Sequence, residues 1–180
     1  EASRKFFRLG IDLGQARPDA AAGMKEMKLK EGDTAPGFTA PANGGGEVSL
    51  SQFRGQAVVL YFYPKDNTPG CNKEACGFRD AHDEITAKGA VGLGVSADSA
   101  ARHDKFIDKF GLPFSLIADE DKSICEAYSV WGDKSFMGRT FLGIKRMTFL
   151  IDADGVIRKI WPKVKVATHA AEVLAALDEL

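Results

Sequence analysis

A run of seven apolar residues, AVVLYFY, extends from Ala57 to Tyr63 and stops at Pro64. The run is rich in β-branched and aromatic side chains and has no polar alternation, which is typical of a strand covered on both faces of a mainly parallel sheet. Proline has no N–H to donate to a neighbouring strand, so Pro64 ends the pairing. This stretch therefore predicts an α/β fold with helices packed against a central sheet.

A helix is predicted to begin shortly after this strand. Thr68 follows the loop 65–67 at an N-cap position, and Pro69 takes the first helical position, where its missing N–H is tolerated. Apolar residues then recur at helical spacing as far as Lys88. Cys71 lies in the first turn, where free N–H groups and the helix dipole favour an anion. A reactive thiolate is therefore predicted at Cys71.

Strands and helices alternate along the rest of the chain. Residues 29–55 predict an N-terminal β-hairpin, and residues 129–144, rich in glycine and aromatic side chains, predict a loop. The segment Asp152–Gly155 predicts the turn of an antiparallel hairpin. The remaining predicted elements are strands at 90–96, 114–118, 146–151 and 156–161 and helices at 99–110, 122–128 and 168–180. This order predicts an α/β sheet that is mixed but mainly parallel.

Charge and cysteine content limit the classes of partner and compartment. The 24 basic and 25 acidic residues nearly cancel, so no global field attracts nucleic acid or an anionic membrane. No apolar run approaches the ~20 residues that a membrane span needs. Three cysteines are too few for a disulfide scaffold, and an odd number cannot all pair within the chain. This cysteine usage indicates a reducing, cytoplasmic compartment.

The domain is predicted to cover residues 28–180. Residues 1–27 differ from it in composition and are interpreted as an N-terminal extension, either packed on the domain or partly disordered. The extension contains no uninterrupted apolar segment, so a secretory signal is not supported. Its first residue is Glu rather than Met, so a processed or trimmed start remains open.

The segment PKDNTPGC places Pro64, Thr68 and Cys71 at the spacing P-x-x-x-T/S-x-x-C. This spacing resembles the signature of peroxiredoxins. A closer resemblance, to the peroxiredoxin Q or bacterioferritin comigratory protein subfamily, rests on Cys76 and on the stretches KSFMGRTFLGIKRMTFLIDADG and WPKVKVATHAAEVL. The likeness extends over residues 28–180. It implies a thioredoxin-like fold with a mixed central sheet flanked by helices.

The resemblance also implies an activity and its partners. A peroxiredoxin of this subfamily is a thiol-dependent peroxidase that reduces hydrogen peroxide and organic hydroperoxides without a metal or prosthetic group. The implied reductant is a protein of the thioredoxin or glutaredoxin type. We expect a monomer, although the sequence leaves the oligomeric state open. No nucleic acid and no membrane is expected among the partners.

The resemblance assigns roles residue by residue. Cys71 matches the peroxidatic cysteine, Cys76 the resolving cysteine and Arg146 the active-site arginine that a strand carries. Thr68 and Pro64 match the loop that shapes the substrate pocket.

Two neighbours of Cys71 complete this comparison. Gly70 is placed in the substrate pocket together with Pro64. Asn72 departs from the subfamily, in which threonine usually follows the peroxidatic cysteine. The change is expected to alter local hydrogen bonding or the ease with which the helix opens, without preventing the chemistry.

The assigned roles agree with what peroxide cleavage requires. A thiolate attacks one oxygen in line with the O–O bond while the departing oxygen gains negative charge and a proton, so hydrogen-bond donors must converge there. The Cys71 N–H, the Thr68 hydroxyl and the Arg146 guanidinium are the candidate groups. The product is a sulfenic acid on Cys71, which Cys76 can convert into a disulfide.

Each of these residues also has a plainer interpretation. Cys76 could be a small core residue of the helix, and Arg146 could form a surface salt bridge. Simple packing is the preferred interpretation of Cys125, in a short predicted helix. The alternative function is a non-catalytic redox sensor or a copper-handling protein of the same fold. It is disfavoured because C-x-x-x-x-C spacing without a nearby histidine suits copper transfer poorly.

Three further patterns are not interpreted as sites. The segment Gly92–Ala97 fits G-x-G-x-x-A, but it lies inside a predicted strand rather than after one, so no dinucleotide site is indicated. The segment Asp152–Gly155 begins like a calcium loop but lacks the downstream ligands. The spacing of His82, His103 and His169 does not match a ligand set, so no metal site is predicted.

Overall fold

The computed structural model describes residues 28–180, so the predicted extension 1–27 lies outside the described residues. The strands are β1 (Thr39–Pro41), β2 (Glu47–Ser49), β3 (Ala57–Phe62), β4 (Ala90–Ser96), β5 (Ser115–Ala118), β6 (Trp131–Phe136), β7 (Arg139–Ile144), β8 (Met147–Ile151) and β9 (Ile157–Trp161). The helices are α1 (Pro69–Ala87), α2 (Ala100–Phe110), α3 (Ser123–Ala127) and α4 (His169–Asp178). Short 3-10 turns at Asn43–Gly45 and Leu50–Phe53 flank β2.

The central sheet has five strands in the order β5-β4-β3-β8-β9. The strands β3, β4 and β5 pair in parallel, whereas β8 pairs antiparallel with both β3 and β9. Only β8 therefore runs against the others, which confirms the prediction of a mixed, mainly parallel sheet. The predicted N-terminal hairpin is also present, because β1 pairs antiparallel with β2.

The strand β3 is buried on both faces, as its continuous apolar sequence predicts. Val58, Leu60 and Phe62 pack on one face of the sheet, in a core shared with the N-terminal hairpin and α3. Val59 and Tyr61 pack on the other face with α1, α2 and α4. The two cores hold the strand at the centre of the sheet, and the loop that leaves it leads directly into α1.

Residues 129–144 form a second hairpin, so the prediction of a loop was wrong. The strands β6 and β7 pair antiparallel and form a two-stranded sheet separate from the central one. Met137 and Gly138 make the turn, with φ values of 50° and 76°. This two-residue turn usually carries Asn or Asp in its first position, where Met stands here. Phe136 and Leu142 are exposed, so no inward-facing alternation marked the strands either.

The other elements begin and end within a few residues of the predicted positions. The segment Gly92–Ala97 falls largely inside β4, as expected. Asp152 Oδ1 accepts hydrogen bonds from the backbone N–H groups of Asp154 and Val156, which makes the predicted turn between β8 and β9. Within residues 28–180, no helix is both long enough and apolar enough to span a membrane.

Candidate active site

Cys71 lies in the first turn of α1, just after the carboxyl end of β3. The helix begins at Pro69, as predicted, and Cys71 is only 2% exposed. Its side chain belongs to the apolar cluster that includes Tyr61 and Phe78. The first N–H groups of a helix have no acceptor within the helix, so the backbone at Cys71 can donate to an anion. The thiol thus lies at the edge of a buried apolar cluster, beside the positive end of the helix.

The guanidinium of Arg146 links Cys71 to a second buried group. Its Nη2 lies 3.2 Å from Cys71 Sγ, and its Nη1 donates to Glu74 Oε1 at 2.8 Å. Arg146 stands immediately before β8, the strand that pairs with β3, and this pairing holds it at the start of α1. Burial opposes its charge, but the neighbouring Glu74 and Cys71 raise the pKa of Arg146. Arg146 is therefore a cation directed at the thiol, not a surface ion-pair partner.

Glu74 belongs to this site although sequence reasoning missed it. It follows Cys71 by three positions, lies on the same face of α1, and is 2% exposed. Burial raises the pKa of Glu74 to about 7, while Arg146 acts to lower it. Its Oε2 has no hydrogen-bond partner within residues 28–180. The available signal was an acidic residue on the otherwise apolar face of the helix.

The loop between β3 and α1 carries Pro64 and Thr68. Thr68 has the extended backbone of an N-cap, but its side chain does not cap the helix. The hydroxyl instead donates to the carbonyl of Lys65 at 2.9 Å. Its hydrogen is engaged there, so the oxygen remains free to accept a hydrogen bond. Only the position of the cap was predicted correctly.

Gly70 leaves room for the arginine. A Cβ at this position would lie 3.1 Å from Arg146 Nη2, closer than ordinary van der Waals contact. A larger residue would therefore press the guanidinium away from its place beside Cys71. The neighbouring Asn72 donates its backbone N–H to the carbonyl of Thr68 at 2.8 Å, and its buried Oδ1 has no partner among the described residues.

Cys76 lies on the same helix as Cys71 and is half-buried, and both thiols are free. The helix is continuous from Pro69 to Ala87. Cα atoms five residues apart in a regular helix are separated by roughly 8 to 9 Å. Disulfide-bonded Cα atoms lie at most about 7 Å apart. A disulfide between Cys71 and Cys76 therefore requires the first turns of α1 to unwind.

The other candidate ligands and thiols have separate structural partners. Cys125 is free and packs in the core on the opposite face of the sheet from Cys71, in agreement with the packing interpretation. His103 Nδ1 contacts Asp66, and His169 Nε2 contacts Thr148. Over residues 28–180, His, Cys, Asp and Glu side chains do not gather in groups of three or more that could hold a metal ion.

A sequence model of the AhpC/TSA family matches residues 31–160 of this chain. The chain belongs to the AhpC/TSA family. Among its AhpC/TSA relatives, Peroxiredoxin Bcp of Escherichia coli is 48% identical over 151 residues, which cover 84% of this chain and 97% of that protein.

Solved structures of AhpC/TSA relatives extend the likeness to the fold. The Xylella fastidiosa PrxQ structure has a TM-score of 0.79 at 38% identity and covers 84% of this chain and 96% of that one. The Xanthomonas campestris bacterioferritin comigratory protein has a TM-score of 0.75 at 42% identity, with coverages of 79% and 90%. This AhpC/TSA-family chain is thus a thioredoxin-fold peroxiredoxin, a thiol-dependent peroxidase, and the resemblance found in the sequence is confirmed.

Proposed function

We propose that Cys71 is the peroxidatic cysteine of this peroxidase. Its thiolate attacks one oxygen of the peroxide, the O–O bond breaks, and the sulfur is oxidised to a sulfenic acid. The other oxygen leaves as RO⁻ and takes up a proton to become an alcohol or water. The observation that carries the assignment is the 3.2 Å contact between Arg146 Nη2 and Cys71 Sγ, because a cation at this distance favours the thiolate.

The groups around Cys71 have complementary roles toward a bound peroxide. The Cys71 N–H and the Arg146 guanidinium are donors, so they stabilise the oxygen on which charge develops. The Thr68 hydroxyl has given its hydrogen to the Lys65 carbonyl, so it accepts a hydrogen bond from the peroxide O–H. Pro64 shapes the loop side of the pocket. Gly70 has no side chain, which leaves room for the Arg146 guanidinium.

Cys76 is proposed as the resolving cysteine. Its thiol attacks the sulfur of the Cys71 sulfenic acid, water leaves, and a Cys71–Cys76 disulfide forms after the first turns of α1 have unwound. An external dithiol protein of the thioredoxin or glutaredoxin type then reduces this disulfide to two thiols and becomes a disulfide itself. The cycle needs no metal or prosthetic group, since every step is thiol chemistry.

The proposed substrates are hydrogen peroxide and organic hydroperoxides. The Xanthomonas campestris relative is described as reducing alkyl peroxides. The apolar cluster around Cys71 suits an alkyl group next to the reacting oxygens. We further propose a monomer, formed by the domain 28–180, that acts in the cytoplasm without nucleic acid or membrane partners. Three free cysteines fit the reducing conditions of that compartment.

A coupled assay tests the proposed cycle. NADPH oxidation through thioredoxin reductase and thioredoxin is followed after addition of hydrogen peroxide or tert-butyl hydroperoxide. Continuous consumption that is lost when Cys71 is replaced supports the cycle. The alternative, a redox sensor with the same two thiols, would consume NADPH only in proportion to the amount of protein.

A further inference from the structure

A buried polar network lies behind the loop that carries Thr68. Asp66 in this loop is 4% exposed, and His103 on α2 is fully buried. Asp66 Oδ2 and His103 Nδ1 lie 2.6 Å apart, and His103 Nε2 lies 2.9 Å from the carbonyl oxygen of Ile117 in β5. Asp66 Oδ1 accepts a hydrogen bond of 2.5 Å from the hydroxyl of Tyr63. One loop side chain is thus joined to α2 and to the end of β3, and through His103 to β5.

The same loop is also held by its neighbours. Asp98 Oδ2 accepts the backbone N–H of Asp66 at 2.8 Å and the hydroxyl of Ser96 at 2.7 Å. Lys109 Nζ on α2 donates to Asn67 Oδ1 at 2.9 Å. The φ of Asn67 is 56°, a backbone conformation that residues other than glycine rarely adopt. The consecutive loop residues Asp66 and Asn67 are therefore both held by groups in α2 or in the segment just before it.

The pair Asp66–His103 shares one proton. A carbonyl cannot donate, so His103 Nε2 carries the hydrogen that Ile117 accepts. The contact between Nδ1 and Oδ2 then holds a single proton, on either the imidazole or the carboxyl group. Either form satisfies both ring nitrogens and both carboxyl oxygens. Removal of one partner would leave the other buried and unsatisfied, which costs free energy for a polar group shielded from solvent.

We propose that Asp66 and His103 are positioning residues for the peroxide pocket. They hold the loop so that the carbonyl of Lys65, next to Asp66, orients the Thr68 hydroxyl toward the bound peroxide. They also keep this loop in place while the adjoining turns of α1 unwind and rewind in each cycle. The inference rests on the proposed roles of Thr68 and Cys71.

The test compares two reactions of the Cys71 thiol in the full chain. Oxidation by hydrogen peroxide needs the positioned pocket, whereas alkylation by iodoacetamide needs the thiolate alone. Both second-order rate constants are measured on the Cys71 peptide by mass spectrometry. For Asp66→Ala and His103→Leu, we expect the peroxide rate constant to fall about tenfold relative to the iodoacetamide rate constant, because small misplacements of the pocket slow the reaction strongly.

Two variants serve as matched controls. Asp66→Asn retains the bonds, since its amide donates to Nδ1 of a neutral His103 and its oxygen still accepts from Tyr63. We expect it to keep the wild-type ratio of the two rate constants. Asp108→Asn, on the exposed side of α2, should also leave the ratio unchanged.

The double variant Asp66→Ala/His103→Leu keeps the test decisive if a single variant does not fold. It leaves no unpaired buried charge, and its ratio should fall no further than that of the single variants because the two residues act as a unit. The proposal would be overturned if a folded variant kept the wild-type ratio of the peroxide to the iodoacetamide rate constant. That outcome includes an equal fall in both rate constants. A failure of the Cys71 assignment would look different, because wild-type Cys71 would then react with iodoacetamide but not with peroxide.

Discussion

Cys71 and Cys125 are both buried and both lie near the start of a helix, yet the charges beside them are opposite. Cys71 Sγ contacts the guanidinium of Arg146. Cys125 lies beside Asp119, and burial together with this carboxylate raises the pKa of the Cys125 thiol far above its ordinary value. A cysteine near a helix start is therefore not reactive by position alone. What differs between the two thiols is the sign of the nearest charge, which adds to the effect of burial.

The two helix starts also differ in whether their N–H groups are free. Asp119 accepts the backbone N–H groups of Ile124 and Cys125, at 3.1 and 2.8 Å, so the start of α3 is already occupied by a carboxylate. At the start of α1 the Thr68 hydroxyl turns to Lys65 instead of capping the helix. The absence of a side-chain cap keeps the N–H groups near Cys71 available to a substrate.

The largest expected effect comes from replacing the two cysteines separately. Cys71→Ser should abolish turnover with every peroxide, because a serine hydroxyl without an adjacent base is not a comparable nucleophile at neutral pH. Cys125→Ala, the matched control, should retain turnover. The coupled NADPH assay measures both. Activity that survives in Cys71→Ser but not in Cys125→Ala would reverse the comparison.

Cys76→Ser should separate oxidation from recycling. We expect one rapid oxidation of Cys71, followed by a sulfenic acid that dimedone traps and that only small thiols recycle. Thioredoxin-driven turnover should be lost because the intramolecular disulfide cannot form. Undiminished turnover would instead assign the resolving role to Cys125 or to a partner chain.

Arg146→Ala should remove the charge that distinguishes the two thiols. We expect the reaction of Cys71 with peroxide to slow by about a hundredfold, with the fold retained, because the lost guanidinium acts on both the thiolate and the developing oxyanion. Stopped-flow kinetics measures this rate constant, and far-UV circular dichroism checks the fold. The rate constant of Arg146→Lys should lie between those of the wild type and Arg146→Ala. An ammonium group keeps the positive charge but cannot donate to two partners from a planar guanidinium. An unchanged rate constant in Arg146→Ala would make Arg146 purely structural.

Glu74 should make the stability of the Cys71 region depend on pH. Burial raises the pKa of Glu74 from 4.5 to about 7, so the folded protein binds this proton more tightly than the unfolded chain does. The resulting stabilisation is complete below pH 4.5 and is lost as the pH rises through 7. Between these two pH values, the free energy of unfolding is expected to decrease by about 3 kcal/mol because of Glu74.

Glu74→Gln cannot ionise and is the matched variant for this effect. The difference in free energy of unfolding between wild type and variant, from urea titrations, should shift in favour of the variant as the pH rises. The buried His169, whose pKa is lowered to about 4, contributes to both proteins and cancels in the difference. Parallel stability curves would show that Glu74 titrates normally.

The smallest expected effect is the loss of a few helical residues on oxidation. Formation of the Cys71–Cys76 disulfide should lower the far-UV helical signal and speed amide exchange around residues 69–80. The region around Cys125 in α3 should stay protected, as should the sheet. A disulfide form, verified by mass spectrometry, with the helix content and protection of the dithiol form would contradict the helical placement of both cysteines.

Local sequence patterns predicted secondary structure well where the pattern is typical of only one kind of element. A continuous apolar run predicted β3, and proline after threonine predicted the start of α1 and hence the position of Cys71. The hairpin of β6 and β7 gave no such signal, because Met137 occupies the turn position where Asn or Asp is usual. The strands of this hairpin are mostly exposed and show no alternation of buried and exposed apolar residues, so their composition is typical of a loop.

The amino-acid sequence was enough to predict the fold class, the helix start that holds Cys71 and the peroxiredoxin resemblance, because each of their signals lies within a short stretch of the chain. The resemblance assigned Arg146 to the site, but the contact of Arg146 with the thiol and the place of Glu74 beside it emerged only from the folded chain. Arg146 meets Cys71 because β8 pairs with β3, and Glu74 becomes an acid with a raised pKa only when α1 packs against the sheet. Charge and burial at a site arise from distant segments brought together, and spacing along one segment cannot encode them.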